Sequence, residues 1–146
     1  MLFIAHQGSW SLGKIPGNSL QAFLKAKDNG ADGIEFDVSE TKDKQNVVAH
    51  GPYLTETTCA KHKVSEYTLD ELKKKCKVKN GEPIMTLEEM LNKVKGLFDY
   101  YFVEVKVYNP NDAQSQTIAD IQTVQKVGMQ DKVIFTSYDK EATFIL

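Results

Sequence analysis

Apolar positions along the chain switch repeatedly between short continuous or alternating runs and runs spaced by three and four residues. Leu2 to His6 is a short apolar run that stops at Gln7-Gly8, and it predicts a first strand. Asn18 or Ser19 can cap a helix with Leu20, Phe23 and Leu24 on its apolar face, and Asn29-Gly30 supplies its stop. Gly33 to Val38 reads as strand two and Asn46 to His50 as strand three. Helices are predicted from Thr68 to about Lys75 and from Thr86 to Lys95. Each opens with a capping box, in which Glu71 or Glu89 takes the third helical position. The second of these presents Leu87, Met90, Leu91 and Val94 on one face and stops at Gly96. Tyr100 to Tyr108 reads as strand four. Asp112 to Val127 reads as a helix with Ile118, Ile121 and Val124 inward, stopped by Gly128. Lys132 to Ser137 reads as strand five, and Glu141 to Leu146 as the start of another helix. Strands alternating with helices predict βαβ units, a parallel sheet and an α/β fold. Gly51 to Pro83 is the least regular stretch, and its lysines (Lys73, Lys74, Lys75, Lys77, Lys79) read as a solvated face.

Side chains alternate faces along a strand, so parity shows which residues point the same way. In strand two, Glu35 and Asp37 share a face opposite Ile34, Phe36 and Val38. In strand four, Phe102, Glu104 and Lys106 oppose Val103, Val105 and Val107. The aliphatic faces suit packing against helices, which turns the charged residues toward the other side of the sheet. His6 and His50 fall at the ends of strands one and three. Taken singly, each of these has an ordinary structural role as a solvated strand end, a loop cap or half of an ion pair. Their joint placement at strand ends, where parallel α/β barrels carry their sites, points to chemistry. Ile4, Val48, Phe102, Val133 and Phe135 are expected on the same inner face.

Composition narrows the partners. Lys plus Arg number 18 and Asp plus Glu 20, a net charge of −2, which gives no electrostatic reason to expect nucleic acid or an anionic membrane. No apolar run approaches the ~18 residues of a membrane span. The opening Met1 to His6 is too short and too soon polar for a signal peptide, so a cytoplasmic protein is expected. In that compartment Cys59 and Cys76 would be ordinary thiols; a local disulfide is the alternative for an exported protein. Neither cysteine has zinc-site spacing.

The motifs resemble one family in order along the whole chain. Ile4-Ala5-His6-Gln7-Gly8 and Pro16-Gly17-Asn18-Ser19-Leu20-Gln21-Ala22-Phe23 are similar to the I-A-H-R-G and P-E-N-T-x-x-A-F motifs of glycerophosphodiester phosphodiesterases. The run from Gly30 to Asp43 resembles that family's G-A-D-x-I-E-x-D-V-x-x-T-K-D, which is long and specific. Val47-Val48-Ala49-His50-Gly51 resembles V-V-x-H-D, Pro83 to Glu89 resembles I-P-T-L-E-E, and Val103-Glu104-Val105-Lys106 resembles I-E-I-K. Val133 to Asp139 is similar to the family's S-F-D strand. The resemblance implies a (β/α)8 barrel and hydrolysis of a small phosphodiester to glycerol 3-phosphate and an alcohol. It also implies Glu35, Asp37 and Glu104 as ligands of a divalent cation, Mg²⁺ or Ca²⁺, for which oxygen donors are suited. By the same implication His6 and His50 are the acid/base pair, and Lys106 and position 7 contact the phosphate. The chain departs from the motifs at Gln7 (Arg in the family), Gly17 (Glu) and Gly51 (Asp).

A full barrel of this kind needs ~250 residues. The chain has 146 and shows five strands, so residues 1–146 are expected to form one truncated barrel domain with an open edge that can pair with another copy. Two rival readings share these residues: a phospholipase D-like lyase acting on lysophospholipids, and a non-catalytic remnant.

Overall fold

The computed structural model describes residues 1–146. Its strands are β1 (Ile4–His6), β2 (Gly33–Glu40), β3 (Asn46–Val48), β4 (Tyr100–Lys106) and β5 (Val133–Thr136). Its helices are α1 (Leu20–Asp28), α2 (Leu69–Lys75), α3 (Leu87–Val94), α4 (Ala113–Lys126) and α5 (Lys140–Ile145). Strands β1, β2, β4 and β5 are parallel and lie side by side in that order, each joined to the next by a helical crossover. Ser19 caps α1, and both predicted capping boxes form, at Thr68/Glu71 and Thr86/Glu89.

The third strand differs from expectation. It is antiparallel to β2, with Val38 opposite Val48 and Glu40 opposite Asn46. Only Thr41 to Gln45 separate the two strands, and Lys44 turns there at φ +62°. A parallel return needs a crossover of roughly a dozen residues or more. The chain therefore supplies four parallel strands rather than five, with β3 appended to the end of β2.

One face of the sheet is dry. Ile34, Phe36, Val38, Tyr101 and Val103 are buried there against Phe23 and Ala26 of α1 and Leu87, Met90, Leu91 and Val94 of α3. Register corrects the expected inner face. Val133 pairs with Tyr101, Phe135 with Val103, and Val48 with Val38, so all three lie on the helix side. Ile4 and Phe102 remain on the opposite face, in register with Gly33 and Glu35. Two helix faces are also rotated from the expected phase. In α1 the buried residues are Ala22, Phe23 and Ala26, while Leu24 is exposed. In α4 they are Ala113, Gln116, Thr117, Asp120 and Val124, while Ile118 is exposed. The Gln116 amide donates to the Lys106 carbonyl at 3.1 Å, which fixes α4 to the end of β4 through a polar bond that hydrophobic periodicity cannot register.

Residues 51 to 83 pack around a second apolar cluster, in which Leu54, Val64, Leu72, Cys76 and Val78 meet Val47, Ala49 and Ile84 from the flanking chain. The two cysteines are not free thiols: Cys59 and Cys76 form a disulfide with Cα atoms 5.6 Å apart. Folding of this unit brings them together, which their spacing alone could not reveal. Glu82 ties the unit to α1 by accepting from the Leu20 and Gln21 amides at 2.8 and 2.9 Å. Those amides are among the unpaired donors at the start of α1, where negative charge also suits the helix dipole. No helix is long and apolar enough to cross a membrane.

Candidate active site

The polar face of β1, β2 and β4 gathers the ionisable groups. Residue Asp37 lies directly opposite Glu104 in the β2–β4 register, and Glu35 lies opposite His6 in the β1–β2 register. Adjacent parallel strands run ~4.8 Å apart, so this pairing places the carboxylates together. Ligand oxygens of Glu35, Asp37 and Glu104 all lie within 4.8 Å of one another. Asp37 is fully buried and Glu104 nearly so, while Glu35 is half-buried. Oxygen donors at this spacing fit a hard divalent cation.

Each carboxylate has a partner. The Lys106 ammonium donates to Glu104 Oε1 at 2.7 Å and lies 3.3 Å from Asp37 Oδ1. Burial pulls its pKa down, but the Glu104 bond and the Asp37 charge outweigh that, and the ammonium is held above its ordinary value. Burial, followed by the charge of Asp37, pushes Glu35 above the usual carboxylate range, against the pull of the Gln7 amide and His6.

Both histidines are anchored through the same ring nitrogen. The imidazole of His6 holds Glu35 Oε2 with Nδ1 at 2.6 Å, and its ring is largely exposed. In His50, Nδ1 is 3.0 Å from the Gly51 carbonyl. A carboxylate and a carbonyl can only accept, so Nδ1 carries the proton in each, and Nε2 is left to exchange one.

The loop after β3 owes its shape to residues that motif reading did not single out. Tyr108 donates its hydroxyl to the His50 carbonyl at 2.6 Å, and Ser39 donates to the Ala49 carbonyl at 2.8 Å. Burial pushes the Tyr108 phenol up to about 12, so it stays a donor. Gly51 adopts φ +54°, and a Cβ there would sit 2.7 Å from both Ser39 Oγ and Tyr108 Cε2. A side chain at position 51 would therefore collide with the Tyr108 ring. Asn18 was also missed as a site residue. Its side chain bonds Asp37 twice, through Nδ2 to Oδ2 at 2.9 Å and through Oδ1 to the backbone amide at 3.0 Å. The available signal was an Asn one position ahead of a good N-cap serine, a residue type tolerant of the φ +55° it adopts. Gln7 points the same way and donates to Asp37 Oδ2 at 2.9 Å.

Comparison with known proteins bears on the family and the fold. Residues 6–144 match the model of the glycerophosphoryl diester phosphodiesterase family. A glycerophosphodiester phosphodiesterase of Caldanaerobacter subterraneus subsp. tengcongensis is 32% identical over 94% of this chain, which spans 58% of that relative's length. Among solved structures, a glycerophosphodiester phosphodiesterase of Parabacteroides distasonis superposes with a TM-score of 0.84 at 29% identity, over 97% of this chain and 58% of that one. An Oleispira antarctica phosphodiesterase, solved with its product sn-glycerol-3-phosphate, gives 0.84 at 24% identity over 99% of this chain and 60% of its own. These neighbours are TIM barrels, so the open sheet of β1, β2, β4 and β5 corresponds to part of a (β/α)8 barrel wall. With its family model covering nearly all of its length, the chain belongs to the glycerophosphoryl diester phosphodiesterase family.

Proposed function

We propose that this chain carries the catalytic half-site of a metal-dependent phosphodiesterase that cleaves glycerophosphodiesters to glycerol 3-phosphate and an alcohol. The observation that carries the reading is the convergence of Glu35, Asp37 and Glu104, with His6 bonded to Glu35 and His50 on the loop after β3, each histidine anchored through Nδ1. The three carboxylates would hold Mg²⁺ or Ca²⁺. When bound, such an ion neutralises charge on the phosphodiester and acidifies an oxygen nucleophile. One histidine takes the proton of the nucleophile, and the other delivers one to the leaving alkoxide. Lys106, held at the rim of the carboxylate cluster, supplies positive charge to the phosphate. The Gln7 amide faces Asp37, so it reaches the substrate only through that carboxylate.

Two further readings go with this one. A disulfide persists in oxidising surroundings, so the Cys59–Cys76 bridge favours such a compartment over the expected cytoplasm. Strands β1 and β5 are the two edges of the parallel sheet, and they offer the route for self-association.

The test is release of glycerol 3-phosphate from glycerophosphocholine by the purified chain. Turnover should vanish with chelator, return with Mg²⁺ or Ca²⁺, and be absent from His6→Ala and His50→Ala. Cation-independent turnover, or full activity in either variant, overturns the reading. Sedimentation of the same sample reports self-association.

A further inference from the structure

Behind Asp37 lies a set of polar contacts whose role rests on reading Glu35, Asp37 and Glu104 as a cation site. Asp37 is fully buried, and its two oxygens are treated differently. Oδ2 accepts from both Gln7 Nε2 and Asn18 Nδ2, each at 2.9 Å. Oδ1 has no hydrogen-bond donor and faces the carboxylate cluster, with the Lys106 ammonium 3.3 Å away. The two donors form one device. The Asn18 amide donates to the Gln7 carbonyl at 3.1 Å, the Asn18 side chain returns to the Asp37 amide, and the Gln7 amide donates to Glu35 Oε2 at 3.1 Å. Both residues hold left-handed backbones, at φ +53° and +55°, which non-glycine residues adopt sparingly and which cluster at functional sites.

On its way to Asp37 the Gln7 side chain packs over Gly17, in space that a side chain at position 17 would contest. A Cβ on Gly17 would lie 2.7 Å from Gln7 Oε1 and 3.2 Å from Gln7 Cβ. The backbone of Gly17 is not left-handed, so nothing but the Gln7 side chain demands glycine there. The two departures from the family motifs, Gln for Arg at 7 and Gly for Glu at 17, are therefore in contact and answer one another.

We propose that Gln7, seated on Gly17, is a positioning residue of the cation site: together with Asn18 it saturates Asp37 Oδ2 and leaves Oδ1 as the single ligand oxygen. Positions 7 and 17 act as one unit. Partners of this kind orient metal-binding carboxylates, and their loss typically lowers metal affinity about 10–100-fold.

Gly17→Ala makes the decisive test, because residue 17 does not itself touch Asp37. Displacing the Gln7 amide by a methyl group should cost as much Mg²⁺ affinity as Gln7→Ala or the length-matched Gln7→Met. Isothermal titration with MgCl₂ and CaCl₂ should show a loss of about 10–100-fold in each single variant, with no further loss in Gln7→Ala/Gly17→Ala. Thermal melts of the cation-free proteins control for folding. Wild-type affinity in Gly17→Ala, or independent losses in the double variant, overturns the unit. Wild-type affinity in Gln7→Met overturns the positioning role. Absence of saturable binding in the wild type, or its survival in Asp37→Ala, instead removes the cation site itself and the positioning role with it.

Discussion

Reduction of the Cys59–Cys76 bridge is the most direct perturbation of the loop that carries His50. The bridge joins residues 17 positions apart inside the 51–83 unit. In the chain-entropy account, opening a loop of that length costs about 3 kcal/mol. Against a net stability of about 5–15 kcal/mol for a domain, that is a large share. At about 2–4 °C per kcal/mol for a chain near this size, the melting temperature should fall by roughly 6–12 °C. The loss should start locally. Cys76 is fully buried in the second apolar cluster, which also holds Val47 and Ala49, the residues leading into His50. Trypsin should therefore cut first near the exposed Lys61 and Lys63. The assay is a melt with and without a phosphine reductant, with alkylation and mass measurement to count free thiols. Two alkylated cysteines and an unshifted melt would refute the constraint. Two free thiols before any reductant is added would refute the bridge.

Three other perturbations follow from the structure. Replacing either histidine by alanine should lower turnover by about 10²–10⁴, the usual range for one acid/base group, while leaving the melt near that of the wild type; a loss of only a few-fold would remove that histidine from proton transfer. Asp120 is buried in α4 with neither carboxylate oxygen hydrogen-bonded, and burial raises its pKa well above the ordinary value. A raised folded-state pKa gives stability that is complete below the unfolded value and is lost as pH rises through the folded one. Asp120→Asn should flatten that decline and gain about 1–3 kcal/mol above it, read from denaturant unfolding across pH; parallel wild-type and variant curves would contradict this. Glu82→Ala should cost about 0.5–2 kcal/mol by stripping the cap from Leu20 and Gln21, and an unchanged melt would show that the 51–83 unit is not held there.

What could be read from the chain alone tracks how local the determining interaction is. The capping boxes at Thr68 and Thr86 are four-residue events, and both form as read. Strand parity is also local. It placed Glu35, Asp37, Glu104 and Lys106 on one face, and the β2–β4 register then brings them within reach. Pairing partners are not local. The motif around Val47 and Val48 reads as another parallel strand, and only the five-residue turn from Thr41 to Gln45 shows that it must run back along β2. The same limit hid the phase of α4. One of its two isoleucines, Ile118, faces water, while Gln116 is turned inward and bonds the Lys106 carbonyl. Residues such as Asn18 and Tyr108 act through side-chain bonds to backbone or carboxylate groups 19 and 58 positions away, a separation that leaves no periodic trace.

The register that builds the site also creates its electrostatic problem. Alternation fixes Ile34, Phe36 and Val38 on the dry face of β2, so Glu35 and Asp37 have no choice of side. The parallel pairing then sets Asp37 against Glu104 on the neighbouring strand. Slipping β4 by one residue would relieve the carboxylates but turn Tyr101, Val103 and Val105 toward the polar face, at about 1.5–3 kcal/mol for each lost burial. Within the cluster, three carboxylates face one ammonium, so with His6 neutral the formal charge is −2. Polar neighbours reduce the repulsion without removing it: Gln7 and Asn18 donate to Asp37, and His6 to Glu35. A divalent cation matches the remaining charge in sign and magnitude, and its donor set is all oxygen. The apolar core on one side of the sheet therefore holds, on the other, a concentration of negative charge that the fold alone would not favour. Strain of that kind is maintained only where the surrounding structure over-determines it, which is how binding sites arise.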